Sequence, residues 1–230
     1  MRLTLFLSLV LSVLPAEAES VPRFRIVVLS ESFFSEGADF GDLDGDGDAD
    51  VVSGPYWYEG PDFRTRHTYV AKNPEPVSIK QYSPHFFSWV RDIDGDGDLD
   101  ILAVPIPGQP AHWFANPGNR EGATTGVWKK HLTLSHVGGE SPEFADITGD
   151  GKPELVCIFD GAYGHASPGD DPKKPWSFTP VAPKANDGRF THGMGLSDVN
   201  GDGRVDLLEK NGWWEQSPTA GDLFKPHAFP

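Results

Sequence analysis

The chain has 230 residues, of which 38% are hydrophobic and 12% aromatic, so it can build the core of one large domain and is not disordered by composition. Its net charge of −15 argues against nucleic-acid binding, which requires a basic surface. The 26 glycines and 21 prolines indicate many turns and few long helices.

The first 18 residues have the pattern of a secretory signal peptide. Arg2 supplies the positive charge, residues 3–14 form an apolar stretch too short to cross a bilayer, and Ala16-Glu17-Ala18 is a suitable cleavage site. We therefore expect a mature chain of residues 19–230 that is secreted, periplasmic or held at the cell surface, with no membrane span after cleavage. Cys157 is the single cysteine, so it forms no internal disulfide and is predicted to be a small core residue.

A β-rich segment, residues 24–29 (FRIVVL), follows the signal. Four units come next, and each offers about four short strands separated by turn residues, which is the content of one β-propeller blade. In the third unit the third strand is not recognisable, and residues 160–175, rich in Gly, Pro and Asp, are predicted to form a long exposed loop that carries His165. The four predicted blades span about residues 31–71, 82–134, 137–181 and 189–229.

An acidic, glycine-rich loop lies near the start of every unit. The first reads Asp-Leu-Asp-Gly-Asp-Gly-Asp-Ala-Asp over residues 42–50, and copies follow at 92–100, 146–154 and 198–206, a period typical of repeated supersecondary units. Alternate carboxylates converge if the backbone curls between them, which a glycine such as Gly47 permits. Hard oxygen ligands in a flexible loop suit calcium, so the loops predict calcium sites.

Two other readings of the loops fit less well. Ordinary solvated turns need no acid at every second position, and four copies in register disfavour that reading. The fourth copy matches the EF-hand pattern with Glu209 at position 12, but Ser53, Ala103 and Cys157 stand there in the other copies. An EF-hand also requires flanking helices, whereas these loops run into short β-rich segments.

The loops and their spacing resemble the FG-GAP/VCBS repeat family, which consists of calcium-loop β-propeller blades like those of integrin α-chain heads. The pattern D-x-[DN]-x-D-G-x-x-D is matched by copies one, two and four, while the third departs at Thr148 and Glu154. The resemblance implies calcium ligands from the side chains at loop positions 1, 3, 5 and 9 and the carbonyl at position 7. The implied ligands are Asp42, Asp44, Asp46, Asp48 and Asp50; Asp92, Asp94, Asp96, Asp98 and Asp100; Asp146, Thr148, Asp150, Lys152 and Glu154; and Asp198, Asn200, Asp202, Arg204 and Asp206.

Segments that resemble fourth strands outnumber the acidic loops. Residues 24–29 begin with an aromatic as the fourth strands of the units do, which gives five such segments for four loops. We therefore predict an all-β propeller of about four four-stranded blades that belongs to a larger ring of about seven, the form common in this family, with residues 24–29 completing a last blade. Closure after four blades would leave one strand over.

Few residues outside the loops suggest chemistry. Glu36, His85, Glu140 and His192 precede their loops by six or seven residues, so they either ring one mouth of a central channel as a metal or acid–base site or are polar rim residues. The second reading is favoured. Three histidines recur in the fourth strands and four tryptophans lie in third strands, where packing is favoured over catalysis or sugar stacking. These are His67, His131 and His227, with Trp57, Trp113, Trp213 and Trp214.

Two functional classes remain open. The first is a secreted calcium-binding propeller that acts as a binding or adhesion scaffold, with an extracellular protein or polysaccharide as ligand. The alternative is a carbohydrate-active enzyme, since some polysaccharide lyases and a sugar dehydratase family resemble this repeat architecture. The enzyme reading requires His85, His192 and a Tyr or Arg around one pocket. The scaffold is favoured, with no catalytic residue assigned.

Overall fold

The computed structural model describes residues 24–71, 75–118, 124–184 and 189–229. Within these ranges the regular secondary structure consists of antiparallel β-strands. The described part of the chain contains no helix with the length and apolar character that a bilayer crossing requires. The predicted signal peptide, residues 1–18, lies outside the described residues.

The described residues form 15 strands in three sheets, and each sheet is an antiparallel meander in sequence order. Strands β1–β4 form the first sheet, β5–β11 the second and β12–β15 the third. The strands are β1 Ala38–Gly41, β2 Asp50–Ser53, β3 Tyr56–Tyr58, β4 Arg66–Thr68, β5 His85–Arg91, β6 Asp100–Pro105, β7 Gln109–Ala115, β8 Lys129–Ala145, β9 Glu154–Phe159, β10 Ala162–Ser167, β11 Ser177–Pro180, β12 Gly195–Ser197, β13 Asp206–Glu209, β14 Gly212–Glu215 and β15 Lys225–Ala228.

The middle sheet contains two four-stranded units that share the long strand β8. The first part of β8 pairs with β7, ending at Val137 opposite Gln109, and its second part pairs with β9, beginning at Gly138 opposite Ile158. The predicted break between residues 134 and 137 lies inside this continuous strand, and the register shift comes just after it, between Gly138 and Glu143. Four units of four strands are therefore present, with β8 closing the second and opening the third.

The prediction of an exposed loop over residues 160–175 is wrong in its first half. Strand β10 lies there, between β9 and β11, and it is the missing third strand of the third unit. Gly164 allows β11 to approach, because a Cβ at this position would lie 2.3 Å from the carbonyl oxygen of Thr179. His165 therefore lies within a sheet rather than on a solvated loop, and desolvation lowers the pKa of its imidazole.

Three hydrophobic cores lie between successive units. Trp57 is central to the core between the first and second units, Trp113 to the core between the second and third, and Leu207 to the core between the third and fourth. Cys157 is buried in the second core, as predicted, and desolvation raises the pKa of its thiol. The second and third units thus bury both faces, and the stacking of the units follows the chain.

The first strands of neighbouring units lie side by side at two of these junctions. Strand β1 packs along β5, and β8 contacts β12. Among the described strands, no comparable contact joins β1 of the first unit to β12 of the fourth. Among the described strands, the contacts therefore join the four units in a row.

Residues 24–29 differ from their predicted conformation. Phe24–Val28 lie outside any strand and pair with none of the described strands. Phe24 and Ile26 are each 92% exposed. A β-rich segment forms a stable strand only against a sheet edge that accepts its hydrogen bonds, and the described part of this chain provides no such pairing.

Candidate metal sites

Each acidic loop connects the first two strands of its unit and curls around its first aspartate. Asp42 Oδ1 accepts the backbone N–H of Gly45 at 2.8 Å, and Oδ2 accepts that of Gly47 at 3.0 Å. Both glycines adopt positive φ angles, 74° and 96°, which other residues rarely adopt. The equivalent pairs of bonds are made by Asp92, Asp146 and Asp198.

The carboxylate at position 9 fastens the loop to the body of its unit. Asp50 is fully buried, and its two oxygens accept the N–H groups of Leu43 in the loop and Gly60 after β3, both at 2.8 Å. Because each carboxylate oxygen has two acceptor positions, these bonds leave capacity for a cation. The same bridging is made by Asp100 to Ile93 and Asn116 and by Asp206 to Val199 and Gln216, while Glu154 accepts the N–H of Ile147.

Among the described residues, three groups of carboxylates lie close enough to hold a metal ion. Within each group, one oxygen from every residue lies within 4.8 Å of the others. A set of convergent carboxylates suits a hard cation that prefers oxygen ligands. The groups are Asp42, Asp44 and Asp50 in the first loop, Asp92, Asp94 and Asp96 in the second, and Asp146, Asp150 and Glu154 in the third.

The second loop contains a carboxylate oxygen that lacks a partner. The side chain of Asp94 is 7% exposed, and its Oδ1 is buried without a hydrogen bond, while its Oδ2 lies 2.9 Å from Lys173 Nζ. A buried acceptor without a partner costs free energy, so a polar or cationic partner at Oδ1 would be favourable. This observation points to a ligand independently of the acid count.

Burial makes the charged form of several loop carboxylates unfavourable. Desolvation raises the pKa of Asp100 to about 7. The hydrogen bonds from the backbone N–H groups of Asn116 and Ile93 lower the pKa and offset only part of this rise. The pKa values of Asp50, Asp44 and Glu154 are raised by the same cause. A bound cation favours the ionised form and would offset this cost.

The third and fourth loops depart from the first two in their geometry as well as their sequence. Thr148 Oγ1 donates to Glu154 Oε1 at 3.1 Å, so this loop satisfies part of its closing acid internally. In the fourth loop, Asn200 Nδ2 donates to Asp202 Oδ2 at 3.0 Å, and the Arg204 guanidinium pairs with the same oxygen. Both loops thus offer fewer free carboxylate oxygens than the first two.

The residues at position 7 have a common backbone role. In each loop their N–H donates to the position 5 carboxylate, at 2.8–3.0 Å. That their carbonyl oxygens bind a cation stays a prediction. The residues are Asp48, Asp98, Lys152 and Arg204.

In the predicted ring of Glu and His, the described residues form one Glu–His ion pair. Glu140 lies 3.0 Å from His192, whereas the carboxylate of Glu36 accepts the N–H of Ser83. His85 lines a small cavity that it shares with His112, and His192 lines a different one. The described residues therefore do not place the two predicted histidines around one pocket.

The recurring histidines pack against the tryptophans of the third strands. The ring centroids are 4.3, 4.6 and 4.2 Å apart in the first, second and fourth units. This repeated contact is a packing role, as the sequence favoured. The pairs are Trp57 with His67, Trp113 with His131 and Trp213 with His227.

A cavity of about 720 Å³, which no sequence pattern indicated, lies between the second and third loops. It is lined by loop residues, by Arg91 and Lys152, and by the segment that links β10 to β11. The Pro172 carbonyl in that segment accepts the indole N–H of Trp113 at 3.0 Å. Contacts between units build this cavity, so no local sequence signal could reveal it.

The meanders and their acidic loops define an all-β repeat protein with a propeller-like fold. Residues 92–157 match the model of the FG-GAP-like repeat, which confirms the resemblance to that family. A search among curated proteins found no match.

Solved structures share the architecture at low sequence identity. An Agrocybe aegerita lectin, described as recognising non-reducing terminal N-acetylglucosamine, aligns with a TM-score of 0.52 and 21% identity over 82% of this chain and 50% of its own. This chain therefore spans about half the length of that lectin, and the likeness shows the fold alone. Weaker likenesses are the V. cholerae biofilm matrix protein Bap1 (TM-score 0.46, 14% identity, 85% of this chain and 31% of that one) and the Photorhabdus luminescens Tc holotoxin pore (0.40, 17%, 89% and 10%).

Proposed function

We propose that the chain is a secreted, calcium-stabilised β-propeller segment that serves as an extracellular binding scaffold. The observation that carries the proposal is the acidic loop, built four times with the same bonds around its first aspartate. Solvated turns do not require that convergence. A cation held in each of the four loops would stabilise the hairpin at the start of every unit.

Calcium is the cation that suits these loops. The position 1, 3, 5 and 9 carboxylates are hard oxygen donors on a flexible loop, and calcium accepts six to eight such oxygens. The first loop would bind through Asp42, Asp44, Asp46 and Asp50, and the second through the equivalent residues. In the first and second loops the ion would offset both the mutual repulsion of the carboxylates and the desolvation that raises the pKa values of Asp44 and Asp100.

The four units are proposed to be blades in an arc of a larger ring. Three inter-unit cores in chain order support an arc, and so does the unpaired segment 24–29. Secretion rests on the sequence pattern of residues 1–18. About seven blades in the complete ring is the expectation from the family resemblance.

The proposed ligand site is the 720 Å³ cavity between the second and third loops. Its size falls in the range of small-molecule sites, and it combines Arg91 and Lys152 with carboxylates and the apolar side chains of Phe144 and Trp176. A saccharide presents hydroxyl groups and apolar faces that such a lining accommodates. The lectin of similar fold makes a glycan the first ligand class to examine.

The enzyme alternative lacks a supporting arrangement in the described residues. It required His85 and His192 beside one another with a Tyr or Arg, and they line separate cavities. A binding role needs no such cluster. The scaffold is therefore the function that the geometry supports best.

Thermal melting with and without chelator tests the calcium part of the proposal. Each ion that binds the folded and not the unfolded chain raises the melting temperature with free calcium concentration. We expect a fall on chelation, full recovery with calcium and a smaller response in the Asp42→Asn/Asp92→Asn double variant. A melting temperature unchanged by chelator would contradict it.

A glycan array tests the binding part. Glycans with terminal N-acetylglucosamine are included, and the calcium-loaded chain is compared with two arginine variants. Arg91→Ala removes a side chain at the cavity, whereas Arg64→Ala removes one that is 87% exposed and pairs with Asp62. Binding weakened by the first variant and unaffected by the second would support the cavity as the site, and equal binding by all three would exclude it.

A further inference from the structure

The second loop forms an ion pair with a lysine of another unit, whereas the first loop forms none among the described residues. Lys173 belongs to the segment between β10 and β11 of the third unit, yet its ammonium lies 2.9 Å from Asp94 Oδ2 in the second unit. A lysine ammonium is positively charged at neutral pH. A residue of one unit thus neutralises a predicted cation ligand of its neighbour.

The segment that presents Lys173 is fixed by bonds to the second unit. The Pro172 carbonyl accepts the indole N–H of Trp113 at 3.0 Å, and the backbone N–H of Trp176 donates to the carbonyl of Thr133 at 2.9 Å. Asp171 Oδ1 accepts the backbone N–H of Lys173 at 3.1 Å. The ammonium is therefore held at the loop by a braced backbone and not by a freely moving tail.

The two carboxylate oxygens of Asp94 differ in their contacts. Lys173 holds Oδ2, and the buried Oδ1 has no hydrogen-bond partner. Asp92 and Asp96 each place an oxygen within 4.8 Å of an Asp94 oxygen. A divalent cation among these three carboxylates would lie near the Lys173 ammonium, which repels it.

The first loop provides the comparison. It has the same aspartates at positions 1, 3, 5, 7 and 9 as the second. At Asp44, however, the charged neighbours are the carboxylates of Asp46, Glu59 and Asp42, and the described residues include no ion pair to it. Two loops with identical acids therefore differ in the charge that surrounds position 3.

We propose that Lys173 is a tethered cation that selectively weakens divalent-cation binding at the second loop, and that a bound cation in turn loosens the segment 168–174. This rests on the proposed function, since it requires cation binding at the loops. The second half follows from the first because coupling between two binding events is reciprocal. Asp94 and the segment residues Pro168, Gly169 and Pro172 all line the 720 Å³ cavity, so the cation at this loop affects the shape of that cavity.

Calcium titration by calorimetry tests the affinity half. The background is Asp42→Asn, which weakens the first loop, and the compared chains carry Lys173, Lys173→Met or Lys173→Arg. We expect Lys173→Met to bind calcium at the second loop on the order of tenfold more tightly, and Lys173→Arg to behave like the parent, because it keeps the charge. Lys174→Met is the matched control, since Lys174 is 77% exposed and pairs with Asp171.

Hydrogen exchange tests the reciprocal half without any change of sequence. Amides of residues 168–174 should exchange faster in the calcium-loaded parent than in the chelated one, while the core strand β6 should not. Unchanged or weaker calcium binding by Lys173→Met, with calcium binding intact in the parent, would overturn this inference alone. Absence of calcium binding in every chain would overturn the proposed function together with it.

Discussion

Asn116 reaches across a unit boundary to Leu43: its side-chain amide donates to the Leu43 carbonyl at 2.8 Å, although 73 residues separate them. The same amide donates to Leu99, and the backbone N–H of Asn116 donates to the closing carboxylate of Asp100. One buried residue therefore fastens the first acidic loop to the second. Gln216 repeats the contact in the fourth unit, where its amide donates to Ile147 of the third loop.

Replacement of Asn116 by Ala should destabilise the fold. The substitution leaves the buried Leu43 carbonyl and the partly buried Leu99 carbonyl without their donor, which costs about 1–3 kcal/mol of the free energy of unfolding. Urea denaturation measures this cost. Asn211→Ala serves as the control, because Asn211 is exposed and its amide donates to Glu209. A loss no greater than in that control would show that the link between loops contributes nothing.

The pH dependence of stability should change sign when calcium binds. Without a cation, desolvation raises the pKa of Asp100 from 3.8 to about 7. Between about pH 4 and about pH 7 the folded chain therefore holds a proton on Asp100 that the unfolded chain has released. The stability that this proton provides is complete below about pH 4 and is lost as the pH rises through about 7. Calcium binds the ionised form, so its stabilising effect should grow over the same interval.

Melting temperatures in chelator and in calcium, measured from about pH 5 to about pH 8, separate these effects. In chelator, the chain should lose stability with rising pH relative to Asp100→Asn, which cannot ionise. Asp62→Asn removes a carboxylate that is 58% exposed and should follow the parent. If the parent and Asp100→Asn run parallel in chelator, Asp100 is not the titrating group.

The third loop should bind calcium less tightly than the first, because Thr148 replaces a carboxylate and its hydroxyl donates to Glu154. Thr148→Asp should strengthen calcium binding there, since affinity depends on the number of ligand charges. In chelator the same variant should melt lower than the parent, because the new charge lies near Asp150 and Glu154. Calorimetric titration and paired melts measure both effects.

A matched variant, Thr65→Asp, adds the same charge in an exposed part of the first unit. It should leave the affinity of the third loop unchanged. A parent chain whose third loop is its tightest site would contradict the expected order, whatever the variant does.

The parts of the fold that were predictable are those that local sequence determines. The roles of Asp42 and Gly47 follow from the few residues around them, so the loops and the strands beside them could be predicted. Strand β10 was missed, because Gly164 and the alanines around it have little strand preference and the strand forms only between β9 and β11. Lys173 was also missed, since its contact with Asp94 spans two units and leaves no local pattern.

The last prediction concerns the open ends of the row of units. Residues 24–29 pair with none of the described strands, and Phe40 on β1 is 68% exposed. Clustered exposed apolar side chains and unpaired strand edges favour association. We therefore expect the 230-residue chain to self-associate, whereas a longer chain with about three further blades should be a stable monomer.

Light scattering after size exclusion measures the association directly. The double variant Phe24→Ser/Ile26→Ser should shift the chain toward monomer, because it removes two apolar side chains that are each 92% exposed. Val127→Ser is the matched control: its side chain is 61% exposed but belongs to the second unit, which is packed on both faces, so the association should persist. A compact monomer of the parent chain, with residues 24–29 protected from hydrogen exchange, would instead mean that this segment finds a strand partner and that the ring closes within the 230 residues.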